Sequence, residues 1–299
     1  MTKIRILIAI ILLSVITNII LILKLPKKVT PIAIKSKENN NQLFEEINPT
    51  GGFEINARFN NLGPMMIASG IIDKDKFINI YEKSNQPLTE DQVKILVFGS
   101  DEKIKITREN SYFLLNFFWA VGLNNKSKIL DEGDMMKYGG LKGAGDFAST
   151  GGWSLASGNT MNYYSKASLI TLTLEQEKLV EEVSSNIFRP CCNNSTAFPD
   201  CNHGMALLGV LQLMAGNGAS EGEMYEAGKY FNAFWFPGNY YDLAMYFKNK
   251  ENLNFTDIDA KLLLSKDYSS ASGSRNIKTW LSQQGLVAEP PKTGGGCGV

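Results

Sequence analysis

The chain has 299 residues, 44% hydrophobic and 20% charged, and its 30 basic side chains balance its 30 acidic ones. This is an ordinary globular composition, long enough for one large domain or two smaller ones. With no net positive charge there is no broad basic surface to hold a phosphate backbone, so the balance argues against a nucleic-acid partner.

Residues 6–23 are almost wholly apolar, interrupted only by Ser14, Thr17 and Asn18. Lys3 and Arg5 precede the run, and Lys24, Lys27 and Lys28 follow it. Its length is at the short end of a membrane span. Neither a small-residue cleavage site nor a lipid-accepting cysteine follows it, which favours an uncleaved anchor over a removed signal. The alternatives are a cleaved signal and a buried core helix. We expect a transmembrane anchor over 1–25 and a single-pass membrane protein with its soluble domain outside the cytoplasm. Lysines on both sides leave the orientation to the common habit of N-terminal anchors.

Residues 26–50 are polar and rich in lysine and asparagine, which reads as a flexible tether. The folded part is expected to begin near Gly51 or Phe53. Region 51–170 reads as helical with glycine-rich loops. Thr89 and Gln92 form a capping box before Val93, Leu96 and Val97. Leu114, Leu115, Phe118, Trp119 and Val121 recur at helical spacing, with Gly122 as the expected stop. Residues 138–160 are rich in glycine, and the run 169–172 is a candidate strand.

Region 171–250 is expected to be a helical Cys/His domain. Thr173 and Gln176 form a second capping box, ahead of Leu179, Val180, Val183 and Ile187 on one face. A loop follows, then an apolar helix from about His203 to Gly216. Ser220 and Glu223 cap a third helix that ends before Pro237. Further helices are expected at 240–247, 257–264 and 277–281. Region 251–299 closes the chain with helices and a mobile glycine-rich tail carrying Cys297. The expected fold class is therefore mainly α, with an N-terminal anchor and a Cys/His loop between two helices.

That loop carries the chemistry. The chain has four cysteines and one histidine, and Cys191, Cys192, Cys201 and His203 fall close together. Thiolate and imidazole are the ligands that soft and borderline metals prefer. Cys201 and His203 lie at the start of a helix, where free amides and the helix dipole favour a thiolate. Arg189 adds positive charge nearby. Met205 is a possible soft ligand, but on so apolar a helix it reads as core. The expected metal ligands are Cys191, Cys192, Cys201, His203 and, from a swinging tail, Cys297, for an ion of the zinc or copper class. Two alternatives remain open. In the first, Cys201 attacks a disulfide and Cys191 or Cys192 resolves it. In the second, Cys191 or Cys192 forms a structural disulfide with Cys201. The residues name a site, not a reaction, so whether the chain is an enzyme stays open. The partners expected are the membrane and a protein that donates metal or thiols.

Residues 174–235 resemble the helical domain of the cytochrome c maturation thiol-reductase family (the CcmH type). The resemblance rests on Arg189-Pro190-Cys191-Cys192 between two helices and on Gly218-Ala219-Ser220-Glu221-Gly222-Glu223-Met224 opening a third. The family's Cys-x-x-Cys is absent here, and Cys201 and His203 are additional. The resemblance implies a membrane-tethered helical hairpin that presents thiols outside the cytoplasm.

Overall fold

The structure is a computed structural model that describes residues 41–287. The expected anchor, most of the tether, and the tail with Cys297 lie outside these residues. Among them, no helix is long and apolar enough to cross a membrane.

A helical segment at 41–47 leads into strand β1 (Phe53–Asn60). Helices α1 (Leu62–Ser69), α2 (Lys74–Lys83) and α3 (Glu90–Phe98) follow, then strand β2 (Ser100–Ile106) and helix α4 (Ser111–Asn124). Three short helical turns, Lys128–Glu132, Asp134–Lys137 and Gly140–Ala144, precede α5 (Leu174–Asn186), α6 (Asn202–Gly216), α7 (Glu221–Trp235) and α8 (Pro237–Lys250). The turns Ala260–Leu263 and Lys266–Ser269 lead to α9 (Ala271–Gln283). The mainly helical expectation holds.

Capping starts the helices where the sequence placed them. Thr89–Gln92, Thr173–Gln176 and Ser220–Glu223 all form reciprocal capping boxes. At the centre, α4 and α6 are buried along nearly their whole lengths. They pack backbone to backbone. A Cβ on Gly122 would lie 2.0 Å from the Met205 carbonyl oxygen, and one on Gly209 would lie 2.6 Å from that of Phe118. Gly122 therefore does not stop α4, which runs on to Asn124. It is instead the point where α6 presses closest. Since α6 begins at the Cys/His loop, this close packing anchors one side of the site.

Two expectations need correction. Residues 41–47 are not tether: Leu43, Phe44 and Ile47 are buried in the core, and Asn48 Nδ2 donates to the Ala233 carbonyl at 2.9 Å. The folded part thus starts before Gly51. Residues 169–172 form no strand. The backbone there is held by Asn125 Oδ1, which accepts from Ile170 N–H at 2.9 Å, beside an isolated bridge between Asn125 and Ala167. The actual sheet is the antiparallel pair β1–β2, with Phe53 opposite Ile106 and Asn60 opposite Ser100. Ile55, Ala57 and Phe59 point inward and the residues between them outward, the alternation of a half-buried strand.

Helix α8 is longer than 240–247 because Pro237 serves as its first-turn residue. Helix α9 likewise extends beyond 277–281, from a Ser270 cap. One hydrophobic core runs from Leu43 to Leu281, so regions 51–170, 171–250 and 251–287 share it.

Candidate metal and thiol centre

The loop between α5 and α6 is held from three sides. At its start, Phe188 N–H donates to the Leu264 carbonyl at 2.9 Å, and Thr196 N–H donates back to the Ile187 carbonyl at 2.8 Å. At its tip, Ala271 N–H donates to the Cys192 carbonyl at 2.8 Å, and Asn193 Oδ1 accepts from Ser272 N–H at 2.9 Å. The start of α9 thus sits on the cysteine loop. On the third side, Ser149 N–H donates to the Asp200 carbonyl at 3.2 Å. Phe198 stacks on Tyr138, with ring centroids 5.6 Å apart. The glycine-rich stretch therefore buttresses the site.

Arg189 is the hub of this loop. Its side chain is fully buried. Nε donates to Cys201 Sγ at 3.3 Å, and Nη2 to Cys192 Sγ at 3.2 Å and to Asp200 Oδ1 at 3.3 Å. Nη1 donates to Thr196 Oγ1 at 3.2 Å. Asn194 Nδ2 holds the other Asp200 oxygen at 2.8 Å. The guanidinium fits because residue 204 is glycine. A Cβ there would stand 2.7 Å from Arg189 Cζ and Nη2.

Three sulfurs gather at the outer edge. Cys191 Sγ lies 3.4 Å from Cys201 Sγ and 4.0 Å from Cys192 Sγ. All three cysteines are free thiols. The Cys191–Cys201 separation is about 0.4 Å short of the roughly 3.8 Å between thiolates of a tetrahedral zinc site with Zn–S near 2.3 Å, so a small opening of the pair would admit an ion. Cys201 caps α6, its sulfur accepting from Gly204 N–H at 3.4 Å. His203 is buried, its ring 4.4 Å from that of Phe236 and 5.7 Å from that of Trp235. Its side chain hydrogen-bonds Cys201.

Proton sharing among the thiols is unequal. Hydrogen bonds from Cys191 and then Cys192 hold Cys201 well below the usual thiol range, and Arg189 and His203 add to this against the opposing effect of burial. Cys191 is pushed up, first by its bond to Cys192, then by its bond to Cys201 and by burial. For Cys192, the bond from Cys191 pulls downward, but its bond to Cys201 and burial outweigh it and the thiol rises. Of the three sulfurs, Cys201 is the one whose thiolate is favoured, while Cys191 and Cys192 favour the thiol. Cys201 was expected to be activated by the start of the helix; its lowering comes first from the neighbouring thiols, with Arg189 and His203 adding to it.

The potential ligands form two overlapping groups, each with donor atoms within 4.8 Å of one another. Cys191, Cys201 and His203 make the first, and Cys192, Asp200 and Cys201 the second. The first group could hold a metal ion. Cys192, expected beside His203, falls instead with Asp200. Met205 is fully buried core, as read. Reasoning from the sequence missed Asp200, Thr196 and Gly204 as builders of the site, and placed Arg189 only nearby. The string Asp200-Cys201-Asn202-His203-Gly204 held part of the signal, because a glycine in the first turn of an apolar helix suggests something pressed against it.

No family model matches the chain, and no curated protein and no solved structure matches it either.

Proposed function

We propose that this protein binds one thiophilic metal ion through Cys191, Cys201 and His203, on a membrane-anchored domain facing outside the cytoplasm. The observation that carries this reading is the convergence of those three donors within 4.8 Å on a loop pinned from three sides. A preorganised site loses little free energy in ordering its ligands. Charge favours the zinc class, with copper(I) as the competitor. Arg189 and Asp200 offset each other, and two thiolates offset a dication.

Three protein ligands leave one tetrahedral position open. Cys191 is the exposed member, so the site could be reached from outside by a further ligand, such as a thiol of a metal-donor protein. Cys297 is a candidate for it from this chain. Helix α9 starts on the loop and its 13 residues carry the chain about 20 Å away. The ten residues from Val287 to Cys297 span about 33–36 Å if extended, so reach is sufficient.

The test is anaerobic purification of the full chain with metal analysis and thiol counting, repeated for His203→Ala. One ion per wild-type chain is expected, with binding weakened more than about 100-fold in the variant. An unchanged metal content in His203→Ala would remove the histidine from the site. A disulfide between Cys297 and Cys191, trapped by mild oxidation and found by peptide mapping, would support the tail as a visiting ligand.

The second reading is thiol–disulfide exchange, favoured by the 3.4 Å approach of Cys191 to Cys201. A thiolate would attack a substrate disulfide, and the second cysteine would displace it. The result is a Cys191–Cys201 disulfide and two substrate thiols, a two-electron transfer. We rank it second because the exposed thiol, Cys191, is held protonated while the thiolate, Cys201, is the more sheltered sulfur.

A further inference from the structure

We infer that the Arg189 guanidinium is a built-in cation that occupies the second ligand group, Cys192, Asp200 and Cys201, and so confines metal to Cys191, Cys201 and His203. The inference rests on the metal-binding reading above and goes beyond it by explaining why one of two adjacent ligand sets is used. Every member of the second group accepts from Arg189: Nη2 donates to Cys192 Sγ at 3.2 Å and to Asp200 Oδ1 at 3.3 Å, and Nε donates to Cys201 Sγ at 3.3 Å. Cys191, in the first group, meets the guanidinium through charge rather than as a hydrogen-bond partner of the fork. The guanidinium thus stands where a dication bound to that group would stand, with the same partners.

Arginine suits this role because its charge is permanent and its planar fork presents several donors at once. It has no retreat. The side chain is fully buried, Thr196 Oγ1 holds Nη1 at 3.2 Å, and the α6 backbone at Gly204 closes behind it. A metal ion entering the second group would have to displace a cation that has no water to move into, and would meet like-charge repulsion while doing so. Cys192 is then a bystander thiol, available for exchange rather than ligation. The chain's own cation, not the absence of donors, sets the stoichiometry at one.

The experiment is a titration of the reduced full-length protein with Zn²⁺ against a chromophoric chelator, without oxygen. Four proteins besides wild type are compared: Cys192→Ser, His203→Ala, Arg189→Gln and the Arg189→Gln/His203→Ala double variant, with folding checked by circular dichroism. Wild type should bind one ion, and Cys192→Ser should keep affinity within about threefold, since that sulfur is not a ligand. His203→Ala should lose more than about 100-fold. The double variant should regain at least tenfold of that loss, because removing the guanidinium opens Cys192, Asp200 and Cys201 to the ion. A folded double variant that regains nothing overturns the inference, as does a Cys192→Ser loss as large as that of His203→Ala. The second outcome stands even if the arginine variants do not fold. If neither wild type nor Arg189→Gln binds Zn²⁺, the metal-binding reading itself falls and the inference falls with it. Metal binding by wild type without rescue in the double variant removes the inference alone.

Discussion

Among the described residues, two cationic side chains are fully buried, Arg189 and Lys229, and they are buried in opposite ways. Lys229 Nζ donates to the Ile258 carbonyl at 3.1 Å and meets Glu226 Oε1 at 3.4 Å, with the Phe255 ring 5.0 Å away. Burial pulls Lys229 below the ordinary lysine range, and Glu226, itself partly solvent-exposed, only partly offsets this. Burial also works against the charge of Arg189, yet the cysteines, Cys201 first, lift it above its ordinary range. A buried cation met by a carbonyl and aromatic rings is tolerated packing. A buried cation met by sulfurs and a carboxylate organises an electrostatic site. Burial alone does not tell the two apart; what differs is that Lys229 meets one half-exposed carboxylate while Arg189 is bonded to a carboxylate and two sulfurs at once.

Removing each charge is the strongest way to break this contrast. Arg189→Met removes the one cation between the Asp200 carboxylate and the Cys201 sulfur, leaving them only the neutral donors Asn194 Nδ2, Gly204 N–H and the neighbouring side chains. A loss of about 3–5 kcal/mol is expected, the typical cost of orphaning a buried charge. Lys229→Met strands only a half-exposed glutamate and a carbonyl, so a change within about 1 kcal/mol is expected. Chemical denaturation of the reduced, metal-free proteins measures both. Equal losses would show that the two cations are equivalent, and the contrast would be wrong.

A smaller effect should come from the space around Arg189. Gly204→Ala would place a methyl group 2.7 Å from the guanidinium, against side-chain atoms held by four hydrogen bonds. Overpacking of this kind costs about 1–3 kcal/mol. The same substitution should raise the Cys201 pKa by moving the guanidinium away. Thiolate absorbance read against pH checks this, and a titration curve identical to wild type would show that Arg189 does not shape the thiolate.

The smallest effect is in pH dependence. In the metal-free reduced protein, Cys201 has a lowered folded pKa. Its stabilisation is therefore complete above the unfolded thiol value of about 8.5 and is lost as pH falls through the folded value. Cys191 is raised, so its contribution is complete below about 8.5 and is lost as pH rises. Stability should thus peak near pH 8.5 and fall on both sides. Cys201→Ser should flatten the acid side of the profile, and an unaltered acid limb would show that this thiolate does not contribute.

Much of the helical frame was legible in the sequence because local signals and tertiary packing agree there. Thr89, Thr173 and Ser220 cap helices whatever surrounds them, since a side-chain oxygen and an N3 carboxamide or carboxylate suffice. The sheet was missed although Phe53–Asn60 alternates, because its partner Ser100–Ile106 is mostly charged and declares itself only when paired. The segment at 41–47 was hidden by its polar neighbours. Its three apolar residues find a core only through contacts distant in sequence, such as Asn48 with Ala233. The ligand types of the site were visible from their rarity. Its internal order was not, because which cysteine faces His203 and which faces Asp200 depends on where Arg189 points, and that depends on Gly204 and Thr196.

The central claim is that Cys191, Cys201 and His203 hold one metal ion while Cys192 stands apart. The most direct measurement is differential alkylation of reduced full-length protein with and without one equivalent of Zn²⁺, mapped by mass spectrometry. The expected result is protection of Cys191 and Cys201 on metal addition, reversed by chelation, with Cys192 labelled in both states. Equal labelling of all three cysteines in the presence of metal, or protection of Cys192 together with the other two, would contradict it.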